Sequence, residues 1–202
     1  MWRVASSNVF QCYIGSDAFT TTYTIPFNNT WHHYLITRSG TSVKLYVDSN
    51  EVLSGTSSSS LASNSISYIG NQPHNARKWL GQLSNISIWN TALTPAQVSE
   101  IYNEGVPSNL NNHSAYSNLV SWWQLGSNSS YTNKWICLDE KGTNNGESVN
   151  MTEADIVDGV GSSANGVSSG MSDNIVGNAF GSSANSLSYN MDVLDRTEDT
   201  PA

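Results

Sequence analysis

The stretch "WHHYLITRSGTSVKLYVDSN", residues 31–50, decides the fold. It reads as two strands, "HYLITR" and "SVKLYVD", joined by Ser39-Gly40-Thr41, with β-branched and aromatic residues on both sides of a short glycine-containing turn. His32 and His33 beside Trp31 invite a metal or catalytic reading. On a strand, however, successive side chains point to opposite faces, so neighbours in sequence do not converge on one ion or one substrate atom. No His-x-His or His-x-x-x-His spacing exists in the chain. Both histidines therefore read as structural, one facing the sheet or a neighbouring strand and the other solvent, while His74 and His113 sit in loops with no partner visible in sequence.

Working outward, short alternating segments recur from Val9 to Ile88: "FQCYIG", "TTTYTI", "HHYLITR", "VKLYVD", "ISYIG" and "LSNISIW". Clusters of Gly, Asn, Pro and Ser separate them, the rhythm of an antiparallel sandwich. The Ser-rich run at residues 54–65 reads as flexible punctuation. One helix interrupts the pattern. In "TPAQVSEIYNEG", Thr94 is placed as N-cap, Pro95 at the first helical position and Gln97 as the capping-box partner. Val98, Ile101 and Tyr102 fall on one face, and Gly105 lies just past the end.

Residues 105–118 read as a linker, after which "LVSWWQLG" starts a new apolar segment and "NKWICLDEKGTNNGES" supplies a strand and a turn. The C-terminal part then repeats itself. "GSSANGVSSGM" begins at Gly161 and "GSSANSLSYNM" at Gly181, and Met151, Met171 and Met191 are spaced by 20 residues, each followed by an acidic or Asn-containing turn. Units of this kind need neighbours to bury their one apolar face, so they are expected to dock on the sandwich or on another chain. A disordered acidic tail that orders on assembly is the other reading.

Charge separates the two parts. Charged residues are 12% of the 202, and up to Leu110 five carboxylates balance five bases. Beyond it eleven carboxylates face three bases, which accounts for the whole net charge of −8. Nucleic-acid binding needs clustered Lys and Arg and is excluded. Cys12 and Cys137 are too few for a disulfide framework and read as two free thiols, with a single pairing between them as the other reading. The N-terminus lacks the apolar core of an export signal, and no apolar run approaches membrane-span length. A hydroxyl- and amide-rich β-protein of this kind usually works outside cells, and a virion protein, released by lysis, meets that condition without an export signal.

The run "WHHYLITRSGTSVKLYVDSNEV", then "SYIGN", then "WLGQLSNISIWNTALTPAQVSEIYN" resembles the laminin-G-like, concanavalin A-type jelly-roll family. Three motifs in the family's order over about half the chain are far more specific than one short match. Ser49 stands where the family usually has Gly after the "Y-V-D" Asp. The family's long opening segment is short ahead of Trp31, whereas "NLVSWWQLG", "LDEKGTNNG" and "NSLSYNMD" resemble parts of it. The C-terminal part thus reads either as completing the sandwich in permuted order, in cis or from a neighbouring subunit, or as the start of a diverged second module. With "SWW", "GTNNG" and "YNMDVLDRTEDTP", the chain also resembles virion structural proteins of marine tailed bacteriophages.

The fold class expected is therefore all-β: an antiparallel concanavalin A-like jelly-roll sandwich with one short helix and a β-rich, repeat-containing C-terminal extension. Residues 1–110 are assigned to the sandwich and 111–202 to an acidic part, comprising opening-strand-like residues 119–149 and repeats over 148–202. The resemblance implies a lectin-like role. The candidate glycan residues are His74, Asn75, Arg77 and Trp79, which join imidazole, amide, guanidinium and indole in one polar loop. Calcium is the one cofactor the resemblance admits, with Asp139, Asn144, Asn145 and Asp48 as ligands. Hydrolases of the same jelly roll carry two carboxylates on one strand face, as Glu153 and Asp155 would be, but the repeat explains these better than catalysis does. The reading is a non-enzymatic structural or adhesive protein on a virion surface, a homo-oligomer contacting other virion proteins and host glycans, with no nucleic-acid or membrane partner. The alternative is a carbohydrate-binding module of a secreted or cell-surface bacterial protein.

Overall fold

A computed structural model describes residues 2–4, 9–14, 16–24, 30–60, 68–70, 79, 81–126 and 128–156. The chain divides into two compact units, Met1–Gln82 and Leu83–Ala202. Residues 157–202, which hold the second and third repeats and half of the expected C-terminal part, lie outside the described residues.

The first unit contains two three-stranded antiparallel sheets. β1 (Trp2–Val4), β2 (Val9–Ile14) and β3 (Asp17–Thr24) form one in that order; β4 (Tyr34–Ser39), β5 (Ser42–Val47) and β6 (Asn50–Thr56) form the other. Residues 1–30 thus supply three strands, more than the sequence suggested. The alternation in "SVKLYV" turns Val43 and Leu45 inward from β5. Val43 packs with Cys12, Ile14, Phe19 and Ile36, and Leu45 with Tyr23, Tyr34, Ile36, Val52 and Leu53. Gly55 on β6 makes room for Phe19, since a Cβ there would lie 2.9 Å from the ring. The Ser-rich loop begins anchored. Ser57 is buried, its hydroxyl donates to Asp17 Oδ2 at 2.7 Å and its N–H to Thr41 O at 2.8 Å.

The turn between β4 and β5 is tighter than expected, because Ser39 pairs with Ser42 and leaves only Gly40-Thr41, with Gly40 at φ 59°. Asp48 and Ser49, between β5 and β6, both occupy the left-handed region at φ 49° and 64°. Left-handed backbone costs a residue with a Cβ about 1–2 kcal/mol. Glycine's extra conformational entropy takes back about 0.5–1 kcal/mol of that. Ser49→Gly is therefore expected to stabilise the unit by about 0.5–1 kcal/mol. A higher denaturant midpoint at unchanged slope would show it, and an unchanged midpoint would refute it.

The second unit pairs β7 (Ile86–Trp89) with β8 (Leu119–Trp123) and carries a meander of β9 (Ser129–Tyr131), β10 (Trp135–Cys137) and β11 (Gly146–Glu147). α1 (Pro95–Tyr102) has the capping box read from sequence: Gln97 N–H donates to Thr94 Oγ1 and Thr94 N–H to the Gln97 side chain. It ends two residues early, at Asn103 in the left-handed conformation, rather than at Gly105. Residues 105–118 are not a linker. Leu110, His113 and Ala115 are buried there, and Leu110 joins Leu119 and Trp122 in a core lined by Trp89, Ile101 and Tyr116. His113 has partners after all, its Nε2 at 3.0 Å from Gln97 O and its Nδ1 accepting the Ala115 N–H at 3.0 Å. No helix among the described residues is long and apolar enough to cross a membrane.

Candidate functional site

In the first unit, Trp79 combines exposure with a fixed ring. Its N–H donates to Gly70 O at 2.7 Å, and its indole N–H donates to Gln82 O at 3.2 Å. Gly70 and Gly81 take φ 80° and 143°, values open to glycine, and a Cβ on Gly81 would lie 3.4 Å from the indole nitrogen. Trp79 still presents 37% of its surface to solvent, and Tyr68 and Ile69, which precede Gly70, are also exposed. Tyr68–Gly70, expected as the end of a strand, is coil and bend. His74, Asn75 and Arg77 lie outside the described residues. Trp31 is 39% exposed.

The hairpin end holds a second cluster. Asp48 Oδ2 lies 2.7 Å from His32 Nδ1, Asp48 Oδ1 accepts the His33 N–H at 2.8 Å, and His32 Nε2 lies 3.1 Å from Thr30 Oγ1. β4 begins only at Tyr34, yet Asp48 N–H donates to His33 O at 2.9 Å and continues the ladder. Burial lowers the His33 pKa against the opposing charge of Asp48. Burial also pushes the Tyr34 phenol up to about 12. The "Y-V-D" aspartate therefore fastens the two histidines by different atoms, ring for one and backbone for the other, and calcium does not suit a carboxylate so engaged.

In the second unit, Asp139 sits 8% exposed in the turn after β10. Its Oδ1 accepts N–H bonds from Trp122 at 2.9 Å, Lys141 at 3.1 Å and Gly142 at 2.9 Å, and its Oδ2 accepts that of Asn144 at 3.1 Å. Burial alone would raise its pKa. The Gly142 and Trp122 N–H groups, the Ser121 hydroxyl and the Lys141 N–H outweigh it and hold the carboxyl far below the usual range. Asn144 donates its amide to Ser121 Oγ at 3.0 Å, and Asn145 Oδ1 accepts the Asp139 N–H at 2.9 Å. The two Asp139 oxygens and Asn145 Oδ1 face N–H hydrogens, which compete with an ion for their lone pairs. Asp139 and Asn144 fasten the turn to β8 through Trp122 and Ser121, and among the described residues no three His, Cys, Asp or Glu side chains are grouped to hold a metal.

Glu153 and Asp155 are not a strand pair. They lie in a 3-10 turn, Glu153–Asp155, where Asp155 accepts the Thr152 N–H and hydroxyl as part of a capping box. Residues two apart on such a turn do not share a face, which removes the geometry of a paired-carboxylate hydrolase. Other carboxylates are also engaged: Asp17 by Ser57 and Ser59 in the first unit, and Glu100 by the Ser114 N–H and hydroxyl in the second.

Residues 1–99 match the family model of the concanavalin A-like lectin/glucanases superfamily, of laminin G type. A solved chain from Bacteroides ovatus ATCC 8483, described as a "putative carbohydrate binding protein", matches with a TM-score of 0.55 and 17% identity, over 74% of this chain and 44% of its own. An S-layer domain-containing protein from Clostridium thermocellum ATCC 27405 matches with a TM-score of 0.36 and 20% identity, over 46% of this chain and 50% of its own. The chain spans half or less of either solved chain. No curated protein matches it. The stretch 1–99 is concanavalin A-like, and the described residues are mostly β with one short α-helix.

Proposed function

From a concanavalin A-like fold as premise, we propose that the protein is a non-enzymatic adhesive or structural module that binds glycans through the loop ending at Trp79. The observation that supports this is an indole fixed by hydrogen bonds through both its backbone and its ring nitrogen, flanked by conformationally demanding glycines, and still over a third exposed. A rigid aromatic face is what a pyranose ring stacks on, and its preorganisation lowers the entropy cost of binding. The engagement of Asp17, Glu100, Asp139 and Asp155 in structural hydrogen bonds favours binding over glycoside hydrolysis. We place the protein on the surface of a tailed-phage virion, on the sequence resemblance, with a secreted or cell-surface carbohydrate-binding protein as the competing setting.

The test is binding of the intact chain to arrayed polysaccharides. Trp79→Ala is expected to weaken binding to whichever glycan is captured by about 30-fold, equivalent to about 2 kcal/mol. Unchanged affinity in a folded variant would remove this loop from the reading. Particle location is tested separately, by immunogold labelling of intact virions.

A further inference from the structure

We propose that Thr30, His32 and Asp48 form a nucleophilic site that takes an acyl group from ester donors. The proposal does not rest on the Trp79 reading. Asp48 is fixed from two directions, by His32 Nδ1 at 2.7 Å and by the His33 N–H at 2.8 Å. With the Nδ1 proton donated to Asp48, His32 Nε2 carries the lone pair, and it faces the Thr30 hydroxyl at 3.1 Å. Thr30 is exposed, so a donor can reach it. A hydroxyl, a base within hydrogen-bond reach and a carboxylate that orients the base are the three parts that activate an alcohol.

The hairpin explains how they meet. Thr30 and His32 lie two residues apart just ahead of β4, and their side chains meet there at 3.1 Å. The left-handed Asp48-Ser49 turn then returns the carboxylate to the same place. In the step proposed, Thr30 Oγ1 attacks the ester carbonyl carbon as its proton passes to His32 Nε2. The tetrahedral adduct collapses by breaking the bond between the acyl carbon and the leaving oxygen, which takes the proton from His32. The products are an ester on Thr30 and a free alcohol, with no change of oxidation state. Thr30 and His32 are the catalytic residues, and Asp48 is a positioning residue acting through His32. A placed base contributes about 10²–10⁴ in rate, enough for stoichiometric acylation of this one hydroxyl over other alcohols of the chain.

The probe is p-nitrophenyl acetate with the intact chain, read by peptide mass spectrometry. Acetyl is expected on the peptide containing Thr30, retained in Thr30→Ser and absent in Thr30→Val, which changes one exposed hydroxyl to a methyl group. His32→Gln is expected to slow acylation at Thr30 by about 100-fold or more. Asp48→Asn should slow it and alter its pH profile, which a purely structural role would not do. Acetyl confined to lysines and the N-terminus overturns the proposal, as does acetylation at Thr30 that proceeds equally fast in His32→Gln. Should His32→Gln fail to fold, the comparison of Thr30→Ser with Thr30→Val still decides.

Discussion

Asp139→Asn is expected to destabilise the second unit by about 3–5 kcal/mol. The substitution keeps the shape but exchanges one oxygen for an NH2 group, which then faces N–H donors. Four backbone N–H groups converge on the carboxylate, and hydrogen bonds to a charged acceptor are worth about 1.5–3 kcal/mol each where burial keeps water away. The fold also fixes the sign with pH. The folded pKa lies below the unfolded one, so the contribution is complete above the unfolded value of about 3.9 and is lost as pH falls towards the folded value. Wild type should therefore lose stability on acidification below about pH 4, and Asp139→Asn should lack that component. Hydrogen exchange of amides 119–123 and 139–146 reports on this unit directly. A cost under about 1 kcal/mol would show that water replaces the carboxylate easily. Gly142→Ala attacks the same cage from another side, since its Cβ would lie 2.7 Å from Asp139 Oδ2 and 3.0 Å from Val120 O. Combined with Asp139→Asn its effect should be less than additive, because both variants break one network.

Leu45→Ala is expected to cost the first unit about 3–4 kcal/mol. Leu45 is 1% exposed at the middle of β5, its register partners being Ile36 on β4 and Leu53 on β6. Tyr23, Tyr34 and Val52 close the cluster. Deleting the isobutyl group forfeits its transfer energy and leaves a void whose walls, tied by ladder hydrogen bonds on both sides, collapse only in part. Faster exchange of the β4, β5 and β6 amides, with the second unit's amides unchanged, is the expected pattern. A loss below about 1.5 kcal/mol would mean that the neighbouring tyrosines refill the space.

Local patterns carried the reading of the hairpin and the helix. The alternation over residues 34–47 identified β4 and β5, and Thr94, Pro95 and Gln97 identified the start of α1, because each signal arises within a few residues of chain. What escaped depends on contacts made from far away. β1 is only three residues long and is defined by its pairing with β2. The Ser-rich run looked mobile because its partner, Asp17, lies forty residues earlier than Ser57. "LDEKGTNNG" looked like a cation loop because carboxylate, amides and glycines are visible in sequence, while the backbone N–H groups that use up the Asp139 oxygens are not. His32 was set aside for a sound reason, since His33 points elsewhere. Its partners proved to be Thr30, two residues away along the chain, and Asp48, across the hairpin.

The pairing of β7 with β8 has a bearing on inheritance. The stretch matching the superfamily ends at residue 99, yet β7 within it finds its ladder partner at Leu119–Trp123, beyond that limit. A recombination event that transplanted only the matched stretch would deliver Trp89 without Ile101, Leu119 and Trp122, which share its core. The smallest transferable segment therefore runs at least through the Asp139 turn, and exons or gene cassettes carrying this module should break after it rather than after the helix.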